Sequence, residues 1–139
     1  MSSANSRPAA GTARLGRDRQ GRTYAEKTAH ILASHPERDW RLRDLADEVH
    51  LSTSQLGRVF MDHFGVPPMQ YLARVRAHRL ARLLAETDLP VGMAMRRVGW
   101  HSRGHASRQF QAITGMQPSV YRKAAATRDA ERRTRAAGR

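Results

Sequence analysis

Apolar residues along this chain recur almost everywhere at the three-and-four spacing of a helix with one buried face. Ala25, Ala29, Ile31 and Leu32 mark a first stripe within residues 24–34, closed by His35-Pro36. Leu42, Leu45, Ala46 and Val49 give a second at i, i+3, i+4 and i+7, and Leu56, Val59, Phe60 and His63/Phe64 a third. Pro67-Pro68 opens the longest helix, proline being tolerated in a first turn, and Leu72, Val75, Leu80, Leu83 and Leu84 line it until Asp88 and Pro90 end it. Val91, Ala94, Met95 and Val98 then repeat the second stripe, while Phe110 and Ile113 stand where the third would recur. The pattern predicts an all-α fold of about seven helices. Residues 1–22, dominated by Ser, Ala, Gly and Arg with no period, are expected to be a disordered basic arm. Residues 124–139, rich in Ala and Arg without an apolar stripe, are expected to form a frayed basic tail.

Two stretches of twenty residues align without a gap. Ser52 to Tyr71 reads STSQLGRVFMDHFGVPPMQY and Ser102 to Tyr121 reads SRGHASRQFQAITGMQPSVY. Ser52/Ser102, Arg58/Arg108, Phe60/Phe110, Gly65/Gly115, Pro68/Pro118 and Tyr71/Tyr121 are identical, where chance would give about one match. Each copy reads as a helix with both ends marked. Ser52 followed by Gln55 is a capping box, and Gly65 or Gly115 is the stop. With the apolar stripe turned inward, the first copy presents Thr53, Ser54, Gly57, Arg58 and Met61, and the second Arg103, Gly104, Ser107, Arg108 and Gln111. A short helix precedes each copy, with a turn at His50-Leu51 in the first and at Gly99 before Trp100 in the second. Short helix, turn and capped helix is the order of a helix-turn-helix. The expected organisation is a first unit over residues 23–66, a linking helix over 67–87 and a second unit over 88–123. Arg41 occupies the cap position of the second helix, where Asp39 is expected to substitute.

These motifs resemble the AraC/XylS transcription regulators, whose DNA-binding domain is two helix-turn-helix units joined by one long helix. The resemblance covers roughly residues 40 to 122 and rests on LADEVHLSTSQLGRVF, FGVPPMQYLARVRAHRLARLLAET and RRVGWHSRGHASRQFQAITGMQPSVYR, in that order and spacing. It implies a sequence-specific regulator of double-stranded DNA that places two recognition helices in adjacent major grooves. The DNA-facing positions it implies are Thr53, Ser54, Gly57 and Arg58 in one helix, and Arg103, Gly104, Ser107, Arg108 and Gln111 in the other. By similarity to single-domain members, the chain is expected to act as a monomer beside RNA polymerase, with no cofactor. About 18 linking residues at 1.5 Å each give ~27 Å, a little under the ~34 Å between major-groove openings on one DNA face. Arg58 and Arg108 are accordingly expected to read bases about 10 base pairs apart. The chain departs from the family pattern where Ala94-Met95 replaces a large apolar residue followed by Ala, where Ala106 replaces an aromatic, and where Trp100 replaces Phe. A repacked second core, with Trp100 filling part of the volume, is expected.

Charge sharpens this picture. The formal net charge of +13 over 139 residues points to an anionic polymer. Its excess is uneven: residues 36–88 carry eight bases and eight acids, whereas 89–123 carry six bases and no acid. The second unit is therefore expected to supply more of the phosphate attraction, and the first relatively more base readout. Arg76 and Arg79 fall toward the apolar side of the linking helix, where an ion pair with Asp44 or Asp47 is expected. At this length a separate sensor domain beside the two units is not expected. With no cysteine, thiolate metal sites and cysteine nucleophiles are excluded. No apolar run approaches the ~18 residues that span a membrane, so a cytoplasmic location is expected. His101 and His105 have the i, i+4 spacing of a zinc pair but lack an accompanying Glu and a third ligand, and Asp44, Asp47 and Glu48 read as the wet face of a short helix. An enzyme is thus not expected. The remaining alternative is an architectural or plasmid-type DNA-binding protein that coats or bends DNA without regulating a promoter.

Overall fold

Capping and stripe signals together account for most of the local structure. The computed structural model describes the backbone of residues 10–138 and the side chains of residues 19–138. The described residues form seven helices: α1 (Ala10–Ser34), α2 (Leu42–Glu48), α3 (Thr53–Phe64), α4 (Pro68–Glu86), α5 (Val91–Arg97), α6 (Arg103–Thr114) and α7 (Pro118–Ala137). They divide into two units. One consists of α1 and Trp40–Tyr71, and the other of His35–Asp39 and residues 72–138, so that the first turn of α4 belongs to one unit and its remainder to the other.

In the first unit α1 lies on the helix-turn-helix formed by α2 and α3. Ala25, Ala29 and Leu32 of α1, Leu45 and Ala46 of α2, Val49 after it, and Leu56 and Phe60 of α3 are all buried. Phe60 meets Phe64 at 4.7 Å between centroids and Tyr71 edge-on at 5.4 Å. Thr28 is fully buried because its hydroxyl donates back to the Tyr24 carbonyl at 2.8 Å, so no unpaired polar group is created. The cap of α2 differs from expectation. Arg41 is the N-cap, and Asp44 reaches back to accept from its backbone N–H at 3.3 Å, so the acid that serves this end lies inside the helix rather than at Asp39.

The second unit repeats the plan with other side chains. Ala77, Leu80 and Leu84 of α4, Ala94 and Met95 of α5, Val98 and Trp100 of the turn, and Ala106 and Phe110 of α6 form one core. Phe110 meets Tyr121 edge-on at 5.5 Å, as Phe60 meets Tyr71. Leu45-Ala46 and Ala94-Met95 occupy corresponding buried positions before the turn with the large and small residue exchanged. Leu56 of α3 has Ala106 as its counterpart, and the volume lost there is supplied by Trp100, only 3% exposed, where the first unit has half-buried Leu51. The expected repacking is thus a transfer of core volume from α6 to the turn before it.

Two arginines are structural. Arg76 donates from Nε to the Pro36 carbonyl at 2.9 Å and from Nη2 to the Arg38 carbonyl at 2.8 Å. Its expected ion pair with Asp44 or Asp47 is replaced by this carbonyl clamp, because a five-donor guanidinium satisfies two adjacent backbone acceptors of a tight loop better than one distant carboxylate. Burial pushes the Arg76 pKa down, with Asp39 and Glu37 acting in the opposite sense. Arg79, the other arginine expected to pair, has an exposed side chain. Arg122 donates to the Leu84 and Thr87 carbonyls at 3.1 and 3.3 Å, satisfying the orphan acceptors at the end of α4.

Both ends of the described chain are more helical than their composition suggests. The expectation of disorder over residues 1–22 falls partly outside the described residues, but from Ala10 onward the backbone is α1, continuous with the helix expected only from Tyr24. Residues 124–137, expected to fray, continue α7, where Asp129 and Arg133 pair at 2.9 Å across one turn.

Candidate nucleic-acid interface

The two repeated helices are delimited by the same devices. The Ser52 hydroxyl accepts from the Gln55 N–H at 3.1 Å, while the Gln55 side chain accepts from the Ser52 N–H at 2.9 Å, which is the reciprocal box expected. Ser102 accepts from the His105 N–H at 3.3 Å, the weaker half of the same arrangement. Gly65 and Gly115 end the helices at φ of 74° and 83°, in the left-handed region where a Cβ is penalised. Each preceding turn is also the same motif. Leu51 N–H reaches the Ala46 carbonyl and His50 N–H the Asp47 carbonyl, just as Trp100 reaches Met95 and Gly99 reaches Arg96. The left-handed residue is His50 at φ 61° in one turn and Gly99 at φ 104° in the other. One extra residue separates the second turn from its cap, since Ser52 lies three positions after Val49 and Ser102 four after Val98.

Within these limits each helix buries one face and leaves another wet. On α3, Thr53, Ser54 and Arg58 are exposed and Gly57 is half-buried; on α6, Arg103, Gly104, Arg108 and Gln111 are exposed and Ser107 is half-buried. All nine positions expected to face DNA therefore lie on the two capped helices, and none enters a core. Among the described residues neither Arg58 nor Arg108 has a carboxylate oxygen within 4.0 Å, so Asp62 does not neutralise Arg58 across its helical turn. Glycines make room for two of the guanidinium groups. A Cβ on Gly104 would stand 3.3 Å from Arg108 Nη1, and one on Gly92 of α5 would stand 3.4 Å from Arg103 Nη1. At Gly57 a Cβ would meet nothing within 4 Å, so no packing within the protein requires glycine there. Gln111 is partly engaged, accepting from the Gln117 amide at 2.6 Å.

Sequence reasoning passed over Gly92, whose place under Arg103 depends on a contact between helices that no periodicity reveals, whereas His105, weighed there as half of a zinc pair, is exposed beside Arg108 in the same helix. Arg96 and Arg97 close α5 as exposed cations, where the helix dipole favours positive charge. Among the described residues, no group of three or more His, Cys, Asp or Glu side chains is gathered as a metal site would need, and no helix is long and apolar enough to cross a membrane.

Two capped helices, each following a short helix across a tight left-handed turn and each presenting small polar and arginine side chains, define a tandem helix-turn-helix protein. A helix-turn-helix domain family model matches residues 45–124, more than half of the chain, and the chain belongs to the AraC-type helix-turn-helix family. It is 36% identical over 92 residues to a putative AraC-like transcription regulator of Streptomyces lividans, which covers 66% of this chain and 30% of that protein. It is 30% identical over 92 residues to a helix-turn-helix-type transcriptional regulator of Haemophilus influenzae, covering 66% of this chain and 31% of the other. The chain thus spans about a third of the length of the curated relatives it matches. Among solved structures, the DNA-binding domain of the global transcriptional factor AdpA, in complex with a target DNA, is 25% identical with a TM-score of 0.71, covering 75% of this chain and 94% of that one. An AraC-type DNA-binding domain protein of Chromobacterium violaceum, 23% identical with a TM-score of 0.69, shares the fold over 75% of this chain and 93% of its own.

Proposed function

We propose that this chain is a sequence-specific double-stranded DNA-binding transcription regulator in which α3 and α6 each enter a major groove. The observation that carries this reading is the duplicated exposed face. Six residues after each Ser cap stands an exposed arginine, Arg58 or Arg108, without a carboxylate partner among the described residues. A guanidinium presented from such a helix meets guanine O6 and N7 together, an interaction worth about 1–3 kcal/mol against a wrong base. Thr53 and Ser54, with Gly104 and Ser107, surround these two positions with short side chains that let the helix backbone approach the duplex closely, and Arg103 adds a cation at the start of α6. Gly57 serves the same purpose, and Gln111 adds a polar contact at the far end of α6. Binding as a monomer next to RNA polymerase in the cytoplasm, with neither catalysis nor a cofactor, completes the reading. AdpA, whose DNA-binding domain has this fold, was solved on a target DNA, which supports a groove-reading role.

The test is selection of binding sites from random duplexes with the parent, Arg58→Ala and Arg108→Ala proteins. Each variant is expected to lose preference at one position of the selected motif while keeping the rest. A uniform drop in affinity with the motif intact would reduce both arginines to phosphate contacts, and coating of all sequences by the parent would favour an architectural role.

A further inference from the structure

Resting on the reading of α3 as a groove-entering helix, we infer that α1 is a phosphate-binding element of the first unit, with Arg19 and Arg22 as its contacts. The first recognition helix is electrostatically poor. Residues 36–88 are balanced in charge, and α3 itself carries one arginine against Asp62. A helix lying between two anionic strands is held there chiefly by cations that meet the backbone phosphates, and since Arg41, Arg43 and Arg58 of this helix-turn-helix stand among Asp44, Asp47, Glu48 and Asp62, cations from outside it are needed.

α1 is placed to supply them. A Cβ on Gly21 would lie 3.5 Å from Val59 Cγ1, Ala25 and Ala29 pack with Phe60 in one cluster, and Glu26 stands 3.8 Å from His63. These contacts advance in the same sense on both helices, residue 21 beside 59 and residue 26 beside 63. The stretch of α1 around Gly21 therefore runs beside Val59 of α3, the residue that follows Arg58. Glycine at 21 permits this approach, because a side chain longer than alanine would have to displace Val59.

The inward stripe of Gly21, Ala25, Thr28 and Ala29 leaves Arg19 and Arg22 in solvent. Arg22 lies one turn before Glu26, on the flank that meets α3, and Arg19 lies nearly one turn before Arg22. Both are carried on a formed helix that is docked on the recognition helix through Val59 and Phe60. Little conformational freedom is then lost on binding, in contrast to a floppy basic arm. The chemical class recognised is the phosphodiester backbone flanking the first half-site, without base preference.

The experiment measures affinity of the full chain for a selected duplex and for an unrelated duplex across a range of salt, using the parent, the pair Arg19→Ala with Arg22→Ala, and the pair Arg19→Lys with Arg22→Lys. The alanine pair is expected to weaken binding to both duplexes alike and to flatten the slope of log K against log salt by up to ~1.8, at ~0.9 for each lost phosphate contact. The lysine pair is expected to keep the parental slope. A parental slope in the alanine pair, or an equal loss in the lysine pair, overturns the inference while leaving the groove-reading function standing. Absence of salt-dependent duplex binding by the parent overturns that function itself.

Discussion

At the scale of single residues the two turns show how one backbone conformation is met in two ways. His50 holds φ 61° with a Cβ, while Gly99 holds φ 104° without one. A left-handed non-glycine residue costs roughly 1–2 kcal/mol, whereas the extra backbone freedom of glycine in the unfolded chain costs roughly 0.5–1 kcal/mol. The first term is the larger, so His50→Gly is expected to raise stability by about 0.5–1 kcal/mol in urea unfolding. Gly99 has no such latitude. A Cβ there would lie 2.5 Å from the Pro36 carbonyl oxygen and 2.8 Å from Arg76 Nε, the two partners of the loop clamp. Gly99→Ala is therefore expected to destabilise by at least ~2 kcal/mol, combining left-handed strain with displacement of the half-buried Arg76 guanidinium. Comparable stability of Gly99→Ala and the parent would show that the clamp yields freely.

At the scale of elements the repeated helices differ in how firmly they start. Ser52 has a reciprocal partner in Gln55, while Ser102 is followed three residues on by His105 and accepts a single, longer bond of 3.3 Å. Loss of an N-cap hydroxyl typically costs about 1 kcal/mol, within a range of ~0.5–2. Ser52→Ala is expected near the upper part of that range and Ser102→Ala near the lower. Amide hydrogen exchange in the first turns of α3 and α6 checks this directly, and a larger effect at Ser102 would contradict the geometric ranking. Arginine is concentrated in the less firmly capped helix, so the element with more cationic side chains is also the one with the weaker start.

At the scale of the whole molecule, two units build the same turn and the same Phe–Tyr edge contact from differently distributed volume. In the second unit Trp100 shares one core with the small Ala106. Trp100→Ala is expected to cost about 3–5 kcal/mol, and Ala106→Leu alone about 1–3 kcal/mol through overpacking. Combining Trp100→Leu with Ala106→Leu restores the pattern of Leu51 and Leu56 in the first unit. The double variant is expected to be at least ~1 kcal/mol more stable than the sum of its single changes predicts, within the range of contacting pairs. Strict additivity in a double-mutant cycle would mean that the two side chains do not share one space.

The sequence by itself determined most features that rest on local chemistry or period, the acid at the start of α2 and the continued helix of residues 124–137 excepted. The capping serines, the stop glycines, the stripes of Leu45 and Val49 or Phe60 and Phe110, and the outward set around Arg58 and Arg108 were legible because each depends on residues within one or two turns. Only the tertiary structure decided what depends on distant partners. Arg76 lies on the apolar side as its spacing indicates, but its acceptors are carbonyls 38 and 40 residues away, and nothing local distinguishes them from a carboxylate. The first half of α1 has no stripe to announce it, since its docking at residue 21 uses a glycine against Val59, and absence of a side chain gives no periodic signal. The departures at Ala106 and Trp100 were legible as a repacked core along the chain, but which buried residues share that core with them was decided only where the fold brings the turn together with α4, α5 and α6.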